Sequence, residues 1–184
     1  MTKLSRNRKT VYRQQGFSLI ETMISVVVVT VGLLALLSVL GMAISATQNT
    51  KYDQIAREKA VETIESIYTA RETNQIGYTA IQNQPNGIFQ SGMIALTDAG
   101  PDGIDGTADD VPAAPIMVPG PSGVLTGSSP PDVPVSLASF QREILIRTDP
   151  INGNLRDITV TIQYPGVQAG QRTYTIHALI SAFR

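Results

Sequence analysis

The sequence contains no cysteine, no tryptophan and a single histidine. Without cysteine there is no disulfide, no thiolate metal site and no cysteine nucleophile. The absence leaves the redox compartment open, because exported chains need not carry disulfides. One histidine, His177, excludes a His-rich metal centre. It falls in an alternating stretch beside Thr175 and Leu179, where a solvated strand histidine is expected rather than a catalytic base. Charge is scarce as well, at 16% of residues against ~25% in ordinary globular chains. No Gly-x-Ser-x-Gly elbow, phosphate-binding loop or His-Glu-x-x-His pattern occurs. Nothing selects a pair of acids for hydrolysis, so the chain reads as a non-enzyme.

The charges that exist are unevenly placed. Lys3, Arg6, Arg8, Lys9 and Arg13 precede Gly16 with no acid among them. Without these five, basic residues number 9 against 15 acidic, a balance of −6. A mildly acidic remainder argues against a nucleic-acid partner, which needs a basic patch. From Thr22 to Thr50 there are 29 consecutive residues without a charge, and no proline interrupts them. As a helix that run is about 43 Å long, more than the ~30 Å core of a bilayer requires. The Val26–Val29 series costs little in lipid, where the backbone must close its own hydrogen bonds. The basic head places the N-terminus in the cytoplasm by the positive-inside rule. The apolar run is too long for a cleaved secretory signal, so a single-pass anchor is expected.

Beyond Thr50 the apolar residues Tyr52, Ile55, Ala56, Ala60, Ile64, Ile67 and Tyr68 recur at helical spacing. Charged residues take the other faces, and Asp53 with Arg57 is spaced for an i,i+4 ion pair. One helix of about 56 residues and ~84 Å is therefore expected over residues 17–72. Its first half is apolar all round and its second half amphipathic.

The segment Gln15-Gly16-Phe17-Ser18-Leu19-Ile20-Glu21-Thr22, behind a basic leader, resembles the processing signal of type IV prepilins. The resemblance implies cleavage between Gly16 and Phe17 by the prepilin peptidase, on the cytoplasmic side. The same enzyme then methylates Phe17 as the new N-terminus. Glu21 becomes the fifth mature residue. A carboxylate in a membrane helix is costly and points to a function. The resemblance supplies its partner, the α-amino group of Phe17 on a neighbouring subunit, and hence a role in filament register. The two-part helix resembles the pilin plan independently of the cleavage motif.

Two departures stand out. Ser38 and Gly41 occupy the region where many major pilins carry proline, and no cysteines close a C-terminal loop. The stretch from Thr30 to Leu37 resembles PilV-type minor pilins and the minor pseudopilins of type II secretion. Gly41 and Ser45 make one small-xxx-small step in the anchor, a weak helix-packing signal.

Residues 74–134 are rich in Gly, Pro, Asn, Asp and Ser, and seven prolines lie between Pro112 and Pro134. Long regular elements are excluded there, and an excursion over the surface is expected. Short strands are expected at Gly87–Gln90 and Met93–Leu96. From Ser139 the pattern turns β: Phe140–Thr148, then Ile158, Val160, Ile162 and Tyr164 alternating with polar residues, then Tyr174 to Ala182. Short turns between them give an antiparallel meander. Its apolar face must be covered, and the amphipathic half-helix is the available cover.

The expected fold is thus α+β and pilin-like, a long N-terminal helix packed on a small antiparallel sheet. Its segments are a basic leader at 1–16, the helix at 17–72 with a membrane or filament core at 17–47, a variable loop region at 73–138 and the sheet at 139–184. Asp98, Asp102, Asp105, Asp109 and Asp110, interleaved with Gly100, Gly103 and Gly106, form a metal-like constellation. A hard cation such as calcium takes six to eight oxygens from such loops, although the EF-hand's terminal Glu is missing. The plainer reading is that Asp-Gly pairs make turns. The resemblance implies a structural subunit, a minor one, of a type IV pilus or type II secretion pseudopilus. Its partners are the peptidase/N-methyltransferase, other pilin subunits and an inner-membrane assembly platform. It requires no cofactor, with calcium as the one candidate. The rival reading is an anchored or filament-tip module that binds through calcium.

Overall fold

A computed structural model describes residues 18–118, 132–167 and 170–183 of the chain. The leader at 1–16, Gly16 and Phe17 lie outside the described residues, as does the stretch 119–131 of the proline-rich region. Two compact units are present, one ending at Ile44 and one beginning at Ser45. Helix α1, Leu19–Glu72, contributes to both.

In the first unit α1 exposes its apolar side chains on every face, Val29 and Leu36 among them. The polar residues there hide their hydroxyls on the helix itself. Ser25 Oγ donates to the Glu21 carbonyl at 2.7 Å and Thr30 Oγ1 to the Val26 carbonyl at 2.7 Å. A hydroxyl so satisfied can face hydrocarbon without an unpaired donor.

In the second unit the same helix buries a single stripe: Ile55, Ala56, Ala60, Thr63, Ile64, Ile67 and Ala70. The stripe follows the spacing read from the sequence, with Thr63 joining it. The helix ends at an asparagine in the left-handed region. Asn74 has φ 64°, and Gln75 N–H reaches back to the Ala70 carbonyl at 2.9 Å. Asn74 N–H bonds Arg71 at 3.4 Å. This pair of backward bonds satisfies carbonyls that the last turn would leave open.

The main sheet is antiparallel with strand order β1-β6-β7-β8. Strand β1 is Ile94–Ala95, β6 Gln141–Thr148, β7 Leu155–Pro165 and β8 Gln171–Ser181. The three long strands form the expected meander, with Ile144 opposite Val160 and Val160 opposite Ile176. Even-numbered residues of β6 and β7 point to the helix, so Ile144, Ile158, Val160 and Ile162 are buried. Phe140 sits between Tyr52, edge-on at 5.8 Å, and Tyr164, stacked at 5.8 Å. Strand β8 is tied to the end of α1, where Tyr68 Oη donates to the Leu179 carbonyl at 2.5 Å. An antiparallel sheet with helix cover on one face is the α+β layout expected.

Three details differ from the sequence expectations. Gly87–Gln90 forms no strand and only an isolated bridge, Asn83 with Phe89. The side chain of Asn83 explains this, because it occupies the edge of β6 itself. Its Nδ2 donates to Ile144 O at 2.7 Å and its Oδ1 accepts from Ile146 N at 2.8 Å. Asp53 does not pair with Arg57 but turns to the sheet. It accepts from Tyr164 Oη at 2.8 Å and pairs with Arg172 at 3.1 Å. The proline-rich region carries two short ladders: β2 Thr97–Asp98 with β3 Val111–Pro112, and β4 Ile116–Val118 with β5 Val133–Val135.

Candidate functional site

Glu21 lies in the first turn of α1 and is exposed. Its backbone N–H donates to the Ser18 carbonyl at 3.1 Å and to Ser18 Oγ at 3.3 Å. Ser18 therefore caps the helix, in the Ser-x-x-Glu spacing of a capping box. Sequence reading by charge and hydropathy missed this cap, although the spacing signals it. The acid also sits where the helix dipole favours negative charge. Gly16 and Phe17, the two positions expected to be processed, are outside the described residues.

The five aspartates lie on the loop that joins β2 to β3 and at its edges. The loop turns sharply at Gly106, which has φ 87° and whose place leaves no room for a Cβ beside Ile144. Asp98, Asp105 and Asp110 are engaged by cations. Asp98 meets Lys59 of α1 at 2.8 Å, while Asp105 and Asp110 meet Arg142 of β6 at 3.1 and 2.9 Å. Arg142 is 1% exposed. Its guanidinium also donates to Thr63 Oγ1 at 3.2 Å and Thr97 Oγ1 at 2.9 Å. One arginine thus joins helix, sheet and loop. Asp102 and Asp109 close the loop on itself: Asp102 Oδ1 accepts from Ile104 N at 2.8 Å, and Asp109 Oδ1 from Thr107 Oγ1 at 2.6 Å.

The electrostatics follow from these contacts. Burial pushes the Asp105 carboxyl above its usual range, and the facing Arg142 only partly offsets it. Burial acts the same way on Asp98. There, however, the hydrogen bonds from Lys59 and from the Ala114 N–H outweigh burial and hold the carboxyl below its ordinary value. Lys59 is the mirror case: burial disfavours its charge, but bonds to Asp98 and Glu62 keep its pKa above 10.5. Removing one partner of a buried, hydrogen-bonded ion set costs about 3–5 kcal/mol, because the remaining charge is stranded.

No group of three or more His, Asp or Glu among the described residues is arranged to hold a metal ion. The residues that the sequence reading missed are Arg142, Lys59 and Thr107. Arg142 was detectable in principle. It is in phase with Ile144 and Ile146 on an alternating strand, so its side chain had to point inward, toward something acidic. His177 is exposed, as expected, with Thr159 Oγ1 at 3.0 Å from its Nδ1.

Residues 12–37 match the family description "Prokaryotic N-terminal methylation motif". No curated protein and no solved structure matches the chain. The matched stretch includes Gly16, Phe17, Glu21 and the first part of the apolar helix. It implies processing by a prepilin peptidase and assembly with other pilins, and it points to a structural protein rather than an enzyme. Together with an apolar helix long enough to cross a bilayer, it fits an inner-membrane-anchored protein. The methylation motif, continued by one uninterrupted helix from Leu19 to Glu72, indicates a precursor of the type IV pilin and pseudopilin kind.

Proposed function

We propose that the chain is a minor structural subunit of a type IV pilus or a type II secretion pseudopilus. It is cut between Gly16 and Phe17, methylated at Phe17, and drawn from the inner membrane into a filament. The observation that carries this reading is the methylation motif running into a helix whose first half exposes apolar side chains on all sides. Such a surface is stable in lipid, and it is equally stable sheathed by like helices, so transfer between the two needs little free energy. The basic leader, held in the cytoplasm, is the part that cleavage removes. Glu21 then pairs with the Phe17 α-amino group of a neighbour and fixes axial register in a low-dielectric core.

Mass spectrometry of membrane and sheared-filament fractions tests the proposal. A mature N-terminus at methylated Phe17, present in filaments at low stoichiometry, is expected. A chain that retains Met1 and never leaves the membrane fraction overturns it. A Glu21→Ala variant is expected to be cleaved normally yet to enter filaments poorly. Normal incorporation removes the register role and leaves Glu21 with the helix dipole alone.

One set of contacts favours a second reading, the calcium-dependent binding module. Thr107 Oγ1 has Asp102 Oδ2 at 3.1 Å, Asp109 Oδ1 at 2.6 Å, Asp110 Oδ1 at 3.2 Å and the Ile104 carbonyl at 3.1 Å. A hydroxyl has one proton to donate, so Thr107 can satisfy only one of these oxygens at a time. With Lys59 and Arg142 holding Asp98, Asp105 and Asp110, a calcium site here rests on Asp102, Asp109, carbonyls and water. Thermal melting with and without chelator decides. A calcium-dependent midpoint that is lost in Asp102→Asn with Asp109→Asn supports the site, and a midpoint indifferent to chelator removes it.

A further inference from the structure

A sheet ends in two edges, each a row of backbone N–H and C=O groups that no further strand has taken up. In the main sheet the two edges are treated differently. Along β6, the short strand β1 pairs with Gln141 and Arg142, and beyond it the Asn83 side chain takes Ile144 O and Ile146 N. The other edge is β8, eleven residues long and paired with β7 without interruption from Gln171 to Ser181. Proline, lysine, inward charge and bulges are the devices that close such edges. From Thr173 to Leu179, β8 has none of them. Its only charged side chain, Arg172, lies before that stretch and pairs with Asp53.

Bonds just beyond the two ends of the β7–β8 ladder fix which groups of β8 point outward. Gly166 N–H donates to Gly170 O at 2.8 Å and Ala182 N–H to Asn154 O at 2.7 Å, both in the register of the ladder. In an antiparallel pair the bonded residues alternate. Even-numbered residues of β8 therefore bond β7, and odd-numbered ones turn their N–H and C=O to the open side. Leu179 agrees, because its carbonyl is taken by Tyr68 Oη of α1. Among the described residues nothing bonds the backbone of Thr173, Thr175 or His177 on that side. The side chains mark the same place. On the helix-facing side Ile158, Val160 and Ile162 of β7 are fully buried, whereas Tyr174, Ile176 and Ala178 of β8 are half-buried. The apolar face thus runs one strand beyond its full cover.

We propose that the open edge of β8 from Thr173 to His177 is a strand-docking site for an extended segment of another polypeptide. Backbone groups spaced as in a strand are complemented by another extended backbone, which defines the class of partner. The docked segment sets apolar side chains beside Tyr174 and Ile176, and polar ones beside Thr175 and His177 on the outer face. Tyr68, on the Leu179 carbonyl, marks where the site ends. A second copy of the chain offers β8 itself as its long open strand. However, β8 runs in the same direction as the second-unit part of α1, with Asp53 beside Arg172 and Tyr68 bonded to Leu179. Two β8 edges in the more stable antiparallel pairing point those helices in opposite directions, against the common polarity of subunits in a filament. The choice of a different polypeptide rests on the filament reading above; the open edge does not.

Hydrogen exchange of the full-length protein in detergent micelles, read amide by amide, tests the site. The probe is a peptide copying Arg156–Tyr164, which alternates apolar residues with threonines. It is N-methylated at Ile158, Val160 and Ile162, so that only its threonine edge can pair. Saturating peptide is expected to slow exchange at Thr173, Thr175 and His177 by about tenfold or more. Tyr174 and Ile176, already bonded to β7, are expected to be unchanged. The isomer methylated instead at Asp157, Thr159, Thr161 and Gln163 is expected to slow nothing. A Thr175→Pro variant removes one outward N–H, so it is expected to melt near wild type and to lose the peptide effect. The comparison of isomers decides even where that variant unfolds. No slowing with the first peptide, or equal slowing with both isomers, overturns the proposal. So does slow exchange at the three amides in dilute protein alone, which means that the chain covers its own edge. Slowing that grows with protein concentration in the absence of peptide overturns the choice of partner: it assigns the edge to a second copy and counts against the filament polarity.

Discussion

The two halves of α1 are the same secondary structure under opposite conditions. Before Ile44 the helix exposes Val, Leu and Ile on every face, and after Ser45 it buries one stripe and exposes charge elsewhere. Both halves are held by identical backbone bonds. What differs is where the cover for apolar surface comes from. The second half finds it within the chain, in β6, β7 and the loop that Arg142 ties down. The first half finds none among the described residues and must take it from lipid or from like helices. A helix that is apolar all round is thus a statement about missing partners, whereas an amphipathic one carries its partner's outline on its surface.

This contrast can be broken from either side. The largest effect is expected from Arg142→Met, which strands Asp105 and Asp110 in the interior. Denaturant unfolding of the membrane-reconstituted protein should lose about 3–5 kcal/mol of head stability, with membrane insertion unchanged. Next is Val29→Lys, which places a charge near the middle of the apolar run. Insertion should be less favourable by about 2.5–3.5 kcal/mol, with head unfolding unchanged. A head destabilised by this change means that the two halves are not independent. Smaller still is Ile67→Val on the buried stripe, with ~0.5–1.5 kcal/mol lost from head stability and no effect on insertion.

The smallest effect sharpens the comparison through pH. The Asp98 carboxyl is held below its ordinary pKa by bonds that outweigh burial. A depressed carboxylate adds stability above its unfolded pKa, and that contribution disappears as pH falls through the folded value. Relative to Asp98→Asn, the wild-type head should therefore be more stable near neutrality, by about 1 kcal/mol for such a half-exposed pair. The difference should vanish in acid below the ordinary carboxylate range. Asp105 acts with the opposite sign. Its raised pKa favours the folded state as the group protonates, so Asp105→Asn should narrow its deficit, or remove it, at higher pH. Asp105→Asn melting curves that track those of Asp98→Asn at every pH contradict that assignment.

Much of this was visible before any coordinates. The uncharged run from Thr22 predicts a spanning helix because a charge in hydrocarbon is costly. The 3.6-residue spacing from Tyr52 to Tyr68 predicts the buried stripe, and the alternation of Ile158 to Tyr164 predicts β7. The methylation motif at residues 12–37 is a linear pattern, and so it needs no fold to be recognised. The helix cap at Glu21 is equally local, signalled by Ser18 three residues earlier.

The tertiary structure alone decided which charges meet. Asp53 was expected to serve its own helix and instead reaches Tyr164 and Arg172, more than a hundred residues away. The five aspartates read as a cation loop, and three of them are held by Lys59 and Arg142, brought together from a helix and a strand. Periodicity reports which face of an element is apolar, because that follows from local geometry. It does not report which opposite charge a folded chain will set against a given acid, because that depends on how separate elements pack. The sequence by itself determined the apolar helix, its methylation motif and most elements of the head; the packing of those elements determined the ion set at Arg142.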